Sequence, residues 1–309
     1  MRPSFGLVVP STTGVGVPEP QDLWDIAERA ETAGLSHLWV SDHIAWWHPM
    51  YESLTLLTAL AARTKRIRLG TAVLLLALRE PVVAAKALAS IDRLSGGRLT
   101  VGVGIGGEFP PEWEAVGVKV RSRARRTDEM LEALRGLWGT ASYGFEGRTI
   151  QIPEIDLQPK PLQDPLPIWV GGRSEASVAR AAKWGTGWMG IFLTPERYAE
   201  RIAALATEAE RQGRNPGDLE ASLYVWTCVA PSDAEARSQA EALLGLFYNV
   251  PFEKLERYAV VGSPERCAER LSEYAAAGCR HFAVAPILPA PSAAPVGWIE
   301  ELTGMLTSI

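Results

Sequence analysis

Strand-like and helix-like segments alternate from one end of the chain to the other, and no other feature of its 309 residues restricts the fold as much. Phe5-Gly6-Leu7-Val8-Val9 is a short apolar run bounded by proline, which suits a strand buried on both faces. Leu23, Ile26, Ala27, Ala30 and Ala33 then recur at helical spacing, with Gly34 as the stop. Further strands are expected at residues 37–41, 67–73, 99–105, 168–170, 187–191, 221–230 and 281–287, each followed by at least one helical pattern. Strict alternation implies a parallel sheet. Eight such units in a chain of this length predict an α/β fold of the (β/α)8 TIM barrel type rather than an open doubly wound sheet. The rhythm loosens only over residues 107–166, where one long helix (122–138) lies between Gly- and Pro-containing segments. This region is read as an insertion after strand four within a single domain spanning residues 1–309.

Composition narrows the function classes. A formal net charge of −5 argues against a nucleic-acid surface, which needs a concentrated basic face. No apolar run reaches the ~20 residues that span a bilayer, so no membrane association is expected. The N-terminus runs straight into a strand without a signal-peptide pattern. Cys228, Cys267 and Cys279 are widely spaced and odd in number, which suits neither a disulfide framework nor a Cys-x-x-Cys site. A cytoplasmic location is the expectation.

Barrels of this kind keep their chemistry at the C-terminal ends of the strands. After strand two comes Ser41-Asp42-His43-Ile44-Ala45-Trp46-Trp47-His48, where an imidazole can serve as acid or base between indole walls. The alternative on the residues alone is a polar loop whose Asp42 caps a turn. Asp42, His43 and His48 could ligate a metal, yet no other strand end adds a His or Cys cluster, so no metal centre is expected. After strand four, Gly102, Gly104, Gly106 and Gly107 precede Pro110-Pro111. That excludes a dinucleotide-binding helix start and suggests backbone lying close to a flat ring. Strand five ends in Gly171-Gly172-Arg173-Ser174 at the start of a helix, an arrangement that holds anions. No Gly-x-Ser-x-Gly elbow or phosphate-binding P-loop is present. Glycine-lined walls, an anion site, indoles and one histidine together suit a cofactor that carries the chemistry itself.

Several segments in order resemble the luciferase-like oxidoreductases, a family of FMN monooxygenases and coenzyme F420-dependent enzymes. They are Leu38-Trp39-Val40-Ser41-Asp42-His43, Arg63-Thr64-Lys65-Arg66-Ile67-Arg68-Leu69-Gly70-Thr71, Leu94-Ser95-Gly96-Gly97-Arg98-Leu99 and Arg126-Thr127-Asp128-Glu129. Residues 165–172, Gly185-Thr186-Gly187-Trp188 and Gly262-Ser263-Pro264-Glu265 complete the set. The resemblance implies a non-proline cis peptide at Ala72-Val73 that backs the cofactor ring, with Asp42 and Thr71 beside it. It also implies a phosphate held by Gly171, Gly172, Arg173 and Ser174. His43 and Trp47 match the pair that acts at the hydride-transfer carbon in the sugar-phosphate dehydrogenases of this family, and Glu108 resembles their third catalytic group. The lysines that bind sugar phosphate there have no match. Trp46, Tyr51, Arg79 and Trp226 are expected to line the substrate pocket. The expected activity is F420-dependent hydride transfer to or from a small organic substrate. The alternative is an FMN-dependent monooxygenase served by a separate flavin reductase. A homodimer is implied by the same resemblance.

Overall fold

A strand buried on both faces needs apolar or small residues at nearly every position, and eight segments of this chain meet that demand. The structure is a computed structural model and describes residues 2–12, 16–139, 141–248, 250–287 and 298–306. Its strands are β1 (Ser4–Val8), β2 (His37–Val40), β3 (Arg68–Thr71), β4 (Leu74–Leu75), β5 (Leu99–Gly104) and β6 (Tyr143–Glu146). They continue with β7 (Gln151–Ile155), β8 (Ile168–Gly171), β9 (Gly187–Gly190), β10 (Glu220–Val229), β11 (Val260–Gly262) and β12 (His281–Pro286). Strands β1, β2, β3, β5, β8, β9, β10 and β12 pair in parallel in that order, and β12 pairs back onto β1. This is the closed eight-stranded barrel that the alternation predicts. Beyond a break, β4 continues the line of β3 against β5, while β11 adds to the outer end of β10.

Successive side chains along each strand enter two different cores. Leu7, Leu38, Val40, Leu69, Val101, Val103, Leu223 and Val284 belong to the larger core between barrel and helices. Val8, Trp39, Ala72, Trp169, Met189, Tyr224, Ala283 and Ala285 fill the barrel itself. Trp39 sets the packing there. A Cβ on Gly6 would lie 2.5 Å from its Nε1, and one on Gly70 would lie 2.2 Å from its Cζ3. Only glycine at both positions leaves room for the indole.

Polar ties close the N-terminal end of the barrel. The Arg98 guanidinium donates to the carbonyls of Ala61, Thr64, Ile67 and Ser95. Glu31 accepts from the backbone N–H groups of Lys65, Arg66 and Ile67. The segments 63–71 and 94–99, prominent in the family resemblance, thus act as scaffold on the face that serves stability.

The insertion is more ordered than its sequence suggests. Besides the long helix Arg123–Trp138 it holds a short helix, Pro110–Ala115, and an antiparallel β6–β7 hairpin. The hairpin leaves little trace in the sequence because its residues are mostly exposed and include Gly144 and Pro153. Arg126 donates to the carbonyls of Ala77, Arg79 and Thr149, and Glu129 accepts from the N–H groups of residues 148–150. The bonds to Ala77 and Arg79 hold the insertion to the C-terminal rim of the barrel, and the others tie its hairpin to its long helix.

Candidate active site

The loop that leaves β2 begins with a buried ion pair. Asp42 Oδ2 accepts from Leu75 N–H at 2.8 Å and from Arg79 Nη1 at 2.7 Å. Its Oδ1 accepts from Arg79 Nη2 at 2.8 Å and from Ser53 Oγ at 2.7 Å. Arg79 also donates to Glu52. With four donors on one carboxylate, Asp42 has no lone pair left for a ligand. Asp42 and Arg79, expected at the cofactor and in the substrate pocket, together clamp β4 to the loop. Burial works against both charges, and the fork geometry repays it; Asp42 raises the Arg79 pKa. Tyr51, also expected in the substrate pocket, donates its hydroxyl to the Pro18 carbonyl at 3.0 Å and packs its ring against the main core.

His43 follows and stands at the mouth. Its Nδ1 lies 3.2 Å from both carboxylate oxygens of Glu112, whose side chain has no solvent exposure, while His43 retains 17%. Glu112 also accepts from the backbone N–H of Ile44 at 3.2 Å. A carboxylate only accepts, so the proton of a neutral imidazole is held on Nδ1 and Nε2 is left for chemistry. Among the described residues Nε2 makes no hydrogen bond. The carboxylate that touches His43 is thus Glu112 rather than Glu108. Glu108 is exposed, and its charge adds last and least to the burial that pushes the Tyr248 phenol well above its usual range. Sequence reasoning missed Glu112 because an acid in the first turn after Pro110-Pro111 ordinarily faces solvent and complements the helix dipole.

Aromatic rings surround this pair. Trp46 stacks on His43 with centroids 3.7 Å apart and a 20° interplanar angle. Trp47 and Phe109 lie 4.3 and 5.8 Å from Trp46 and 5.2 Å from each other. Across the mouth, Phe247 lies 6.4 Å from Trp46 and 5.3 Å from Trp226. Trp226 donates its Nε1–H to the hydroxyl of Tyr248 at 3.1 Å. The structure thus brings His43, Trp46, Trp47 and Trp226 together as expected, and adds Phe109, Phe247 and Tyr248.

Between these walls lies the end of the β3 line. The Ala72-Val73 peptide is cis, as the resemblance implies. Thr71 is buried and donates its hydroxyl to the Gly102 carbonyl. A Cβ on Gly104 would stand 2.4 Å from Val73 Cγ2, and one on Gly171 2.7 Å from Val73 Cγ1. These glycines allow a close approach, as the sequence suggests, but they receive the protein's own Val73, which then presents the surface. Gly106 and Gly107 have φ values of +52° and +114°, and the latter passes close to Arg123. On the far side, Gly172 has φ +130° and Ser174 caps helix Glu175–Trp184, its Oγ accepting from Ser177 N–H at 3.2 Å. Arg173 is exposed, with its guanidinium 5.9 Å from the Phe192 ring centroid.

With this geometry in hand, comparison with known proteins is informative. The sequence profile of the luciferase-like monooxygenases matches residues 4–256. The chain is 27% identical over 296 residues to the F420-dependent glucose-6-phosphate dehydrogenase of Amycolatopsis mediterranei, covering 85% of this chain and 87% of that protein. It is 33% identical over 199 residues to the FMNH2-dependent dimethylsulfone monooxygenase of Pseudomonas putida, covering 58% and 54% respectively. Among solved structures, an F420-dependent secondary alcohol dehydrogenase in complex with an F420-acetone adduct superposes with a TM-score of 0.85. That match covers 99% of this chain and 98% of the other at 20% identity, a likeness of fold.

Proposed function

The chain belongs to the luciferase-like monooxygenase family, and from that premise we propose that it is an oxidoreductase that uses coenzyme F420 to move a hydride to or from a small organic substrate. The observation that carries the reading is the His43–Glu112 pair, an imidazole whose Nδ1 is held by a buried carboxylate at the mouth of the barrel. Such a pair moves protons and offers no nucleophile, which suits a site where a bound cofactor carries the electrons.

The residues present fit a deazaflavin. Val73 offers an uncharged, half-buried surface for a planar ring, packed so closely on Gly104 and Gly171 that it is held in place. Gly172, Arg173 and Ser174 would hold the phosphate, since Arg173 is exposed and the helix start contributes N–H groups and a positive dipole end. When bound, F420 supplies two-electron hydride chemistry. His43 Nε2 takes the hydroxyl proton of an alcohol, or returns it to a carbonyl oxygen in the reverse direction. Glu112 keeps the ring oriented and stabilises the imidazolium that forms. Trp47, 47% exposed beside Phe109, shields the reacting face from water. Glu108, exposed at the rim, is assigned to substrate orientation.

Titrating the apoprotein separately with F420 and FMN while following ring fluorescence tests this. F420 binding in the micromolar range or tighter is expected. Tight FMN binding with no F420 binding would replace the reading by an FMN monooxygenase that depends on a separate reductase, the activity class of the Pseudomonas putida relative. A homodimer is part of the same proposal. The exposed Val83 and Leu94, on helix Pro81–Leu94, offer it an apolar face. Light scattering coupled to size exclusion should give twice the chain mass, and Val83→Asp should halve it.

A further inference from the structure

Substrate class follows from what surrounds His43. Rings from four separate elements form one connected wall: Trp46 and Trp47 after β2, Phe109 after β5, Trp226 on β10, and Phe247 near the end of helix Asp233–Tyr248. Neighbouring centroids are 4.3–6.4 Å apart. None of these five rings carries a cation among the described residues.

Three cations of the adjoining loops are otherwise engaged. Arg79 is taken by Asp42 and Glu52, Arg126 by three carbonyls, and Arg123 by the carbonyls of Gly106 and Val120. Behind His43 stands the Glu112 carboxylate, and Glu108 sits at the rim. A phosphate placed against His43 would meet these two acids. An unpartnered donor, however, is present: the buried indole N–H of Trp46 makes no hydrogen bond among the described residues. A buried donor left without an acceptor is costly, and an uncharged oxygen satisfies it without introducing charge.

We propose that the substrate is an uncharged alcohol or carbonyl compound with an apolar, ring-sized body, which the aromatic wall grips while its oxygen faces His43. This deepens the oxidoreductase reading and rests on it. Burying one extra ring in such a wall improves binding by about tenfold to a hundredfold.

The test uses the F420-loaded protein with 1-phenylethanol and acetophenone, against 2-propanol, glucose 6-phosphate and benzyltrimethylammonium. Binding is read by calorimetry and tryptophan quenching, and turnover by cofactor absorbance. The expected result is binding of the two neutral ring compounds at least about tenfold tighter than 2-propanol, with no measurable binding of the phosphate. Phe109→Ala should narrow the preference for 1-phenylethanol over 2-propanol by about tenfold. Preferred binding of glucose 6-phosphate or of the quaternary ammonium overturns the assignment even if the protein is an F420 enzyme. Tight binding of the neutral ring compounds without turnover leaves the pocket assignment standing and removes the proposed reaction instead.

Discussion

Strand β2 carries a histidine at one end and delivers another at the opposite end, and both sit beside indoles. His37 stacks on Trp39 at 4.8 Å inside the barrel, next to His281, whose Nε2 accepts from Trp39 Nε1–H at 3.0 Å. His43 stacks on Trp46 at 3.7 Å in the mouth. Residue types match, and the surroundings separate their roles. His281 is wholly buried, and that burial pushes its pKa down to about 3; His37 is lowered well below its usual value, by burial first and then by its neighbours His281 and Arg68. These rings are neutral packing pieces at any physiological pH. His43 has a carboxylate on one nitrogen and some exposure to water, the arrangement that lets an imidazole exchange protons. Burial without a countercharge makes a histidine structural. A countercharge with an open face makes it a candidate for proton transfer.

The widest separation between the two clusters should come from their alanine variants. His43→Ala is expected to lower kcat by about 10²- to 10⁴-fold with the unfolding midpoint unchanged, measured by steady-state kinetics beside thermal denaturation. A full-strength enzyme would remove His43 from the chemistry. His281→Ala should do the reverse. It leaves a cavity and strips Trp39 of its acceptor, costing about 3 kcal/mol in a denaturant titration, while the turnover per folded molecule stays within about twofold.

Acid should sharpen the contrast. A histidine whose folded pKa lies below its unfolded value of about 6.5 leaves the unfolded chain with more protons between the two values. Stability is therefore complete above about pH 6.5 and falls as the pH drops towards about 3, the folded value of His281. The slope is about 1.4 kcal/mol per pH unit for each such histidine. Replacing His281 with Leu should flatten it, and an unchanged slope would show that other groups dominate. The smallest effect is expected at Glu112→Gln. The amide can donate to Nδ1 and so favour the other tautomer, lowering kcat by about tenfold with little change in KM. A change confined to KM would make Glu112 a packing residue.

Much of this was legible in the chain because the signals are local. Strand periods, helix stops and the turn residues Gly34, Gly96 and Gly97 set eight alternating units, and closure follows from their number. The loop after β2 was identifiable too, since polar and aromatic residues cluster at a strand end where they cannot serve as core. Which of those residues would be free for chemistry was not. Asp42 is silenced by Arg79, 37 positions away, and His43 is completed by Glu112, 69 positions away. Gly104 and Gly171 owe their identity to Val73, in the break between β3 and β4. His281 stays neutral because distant strands bury it in a filled barrel. Sequence determined that this chain is a barrel with its chemistry at one rim, because backbone propensity and periodicity act over a few residues. Tertiary structure alone decided which acid serves which base, because that depends on where distant strand ends converge and how much water they exclude.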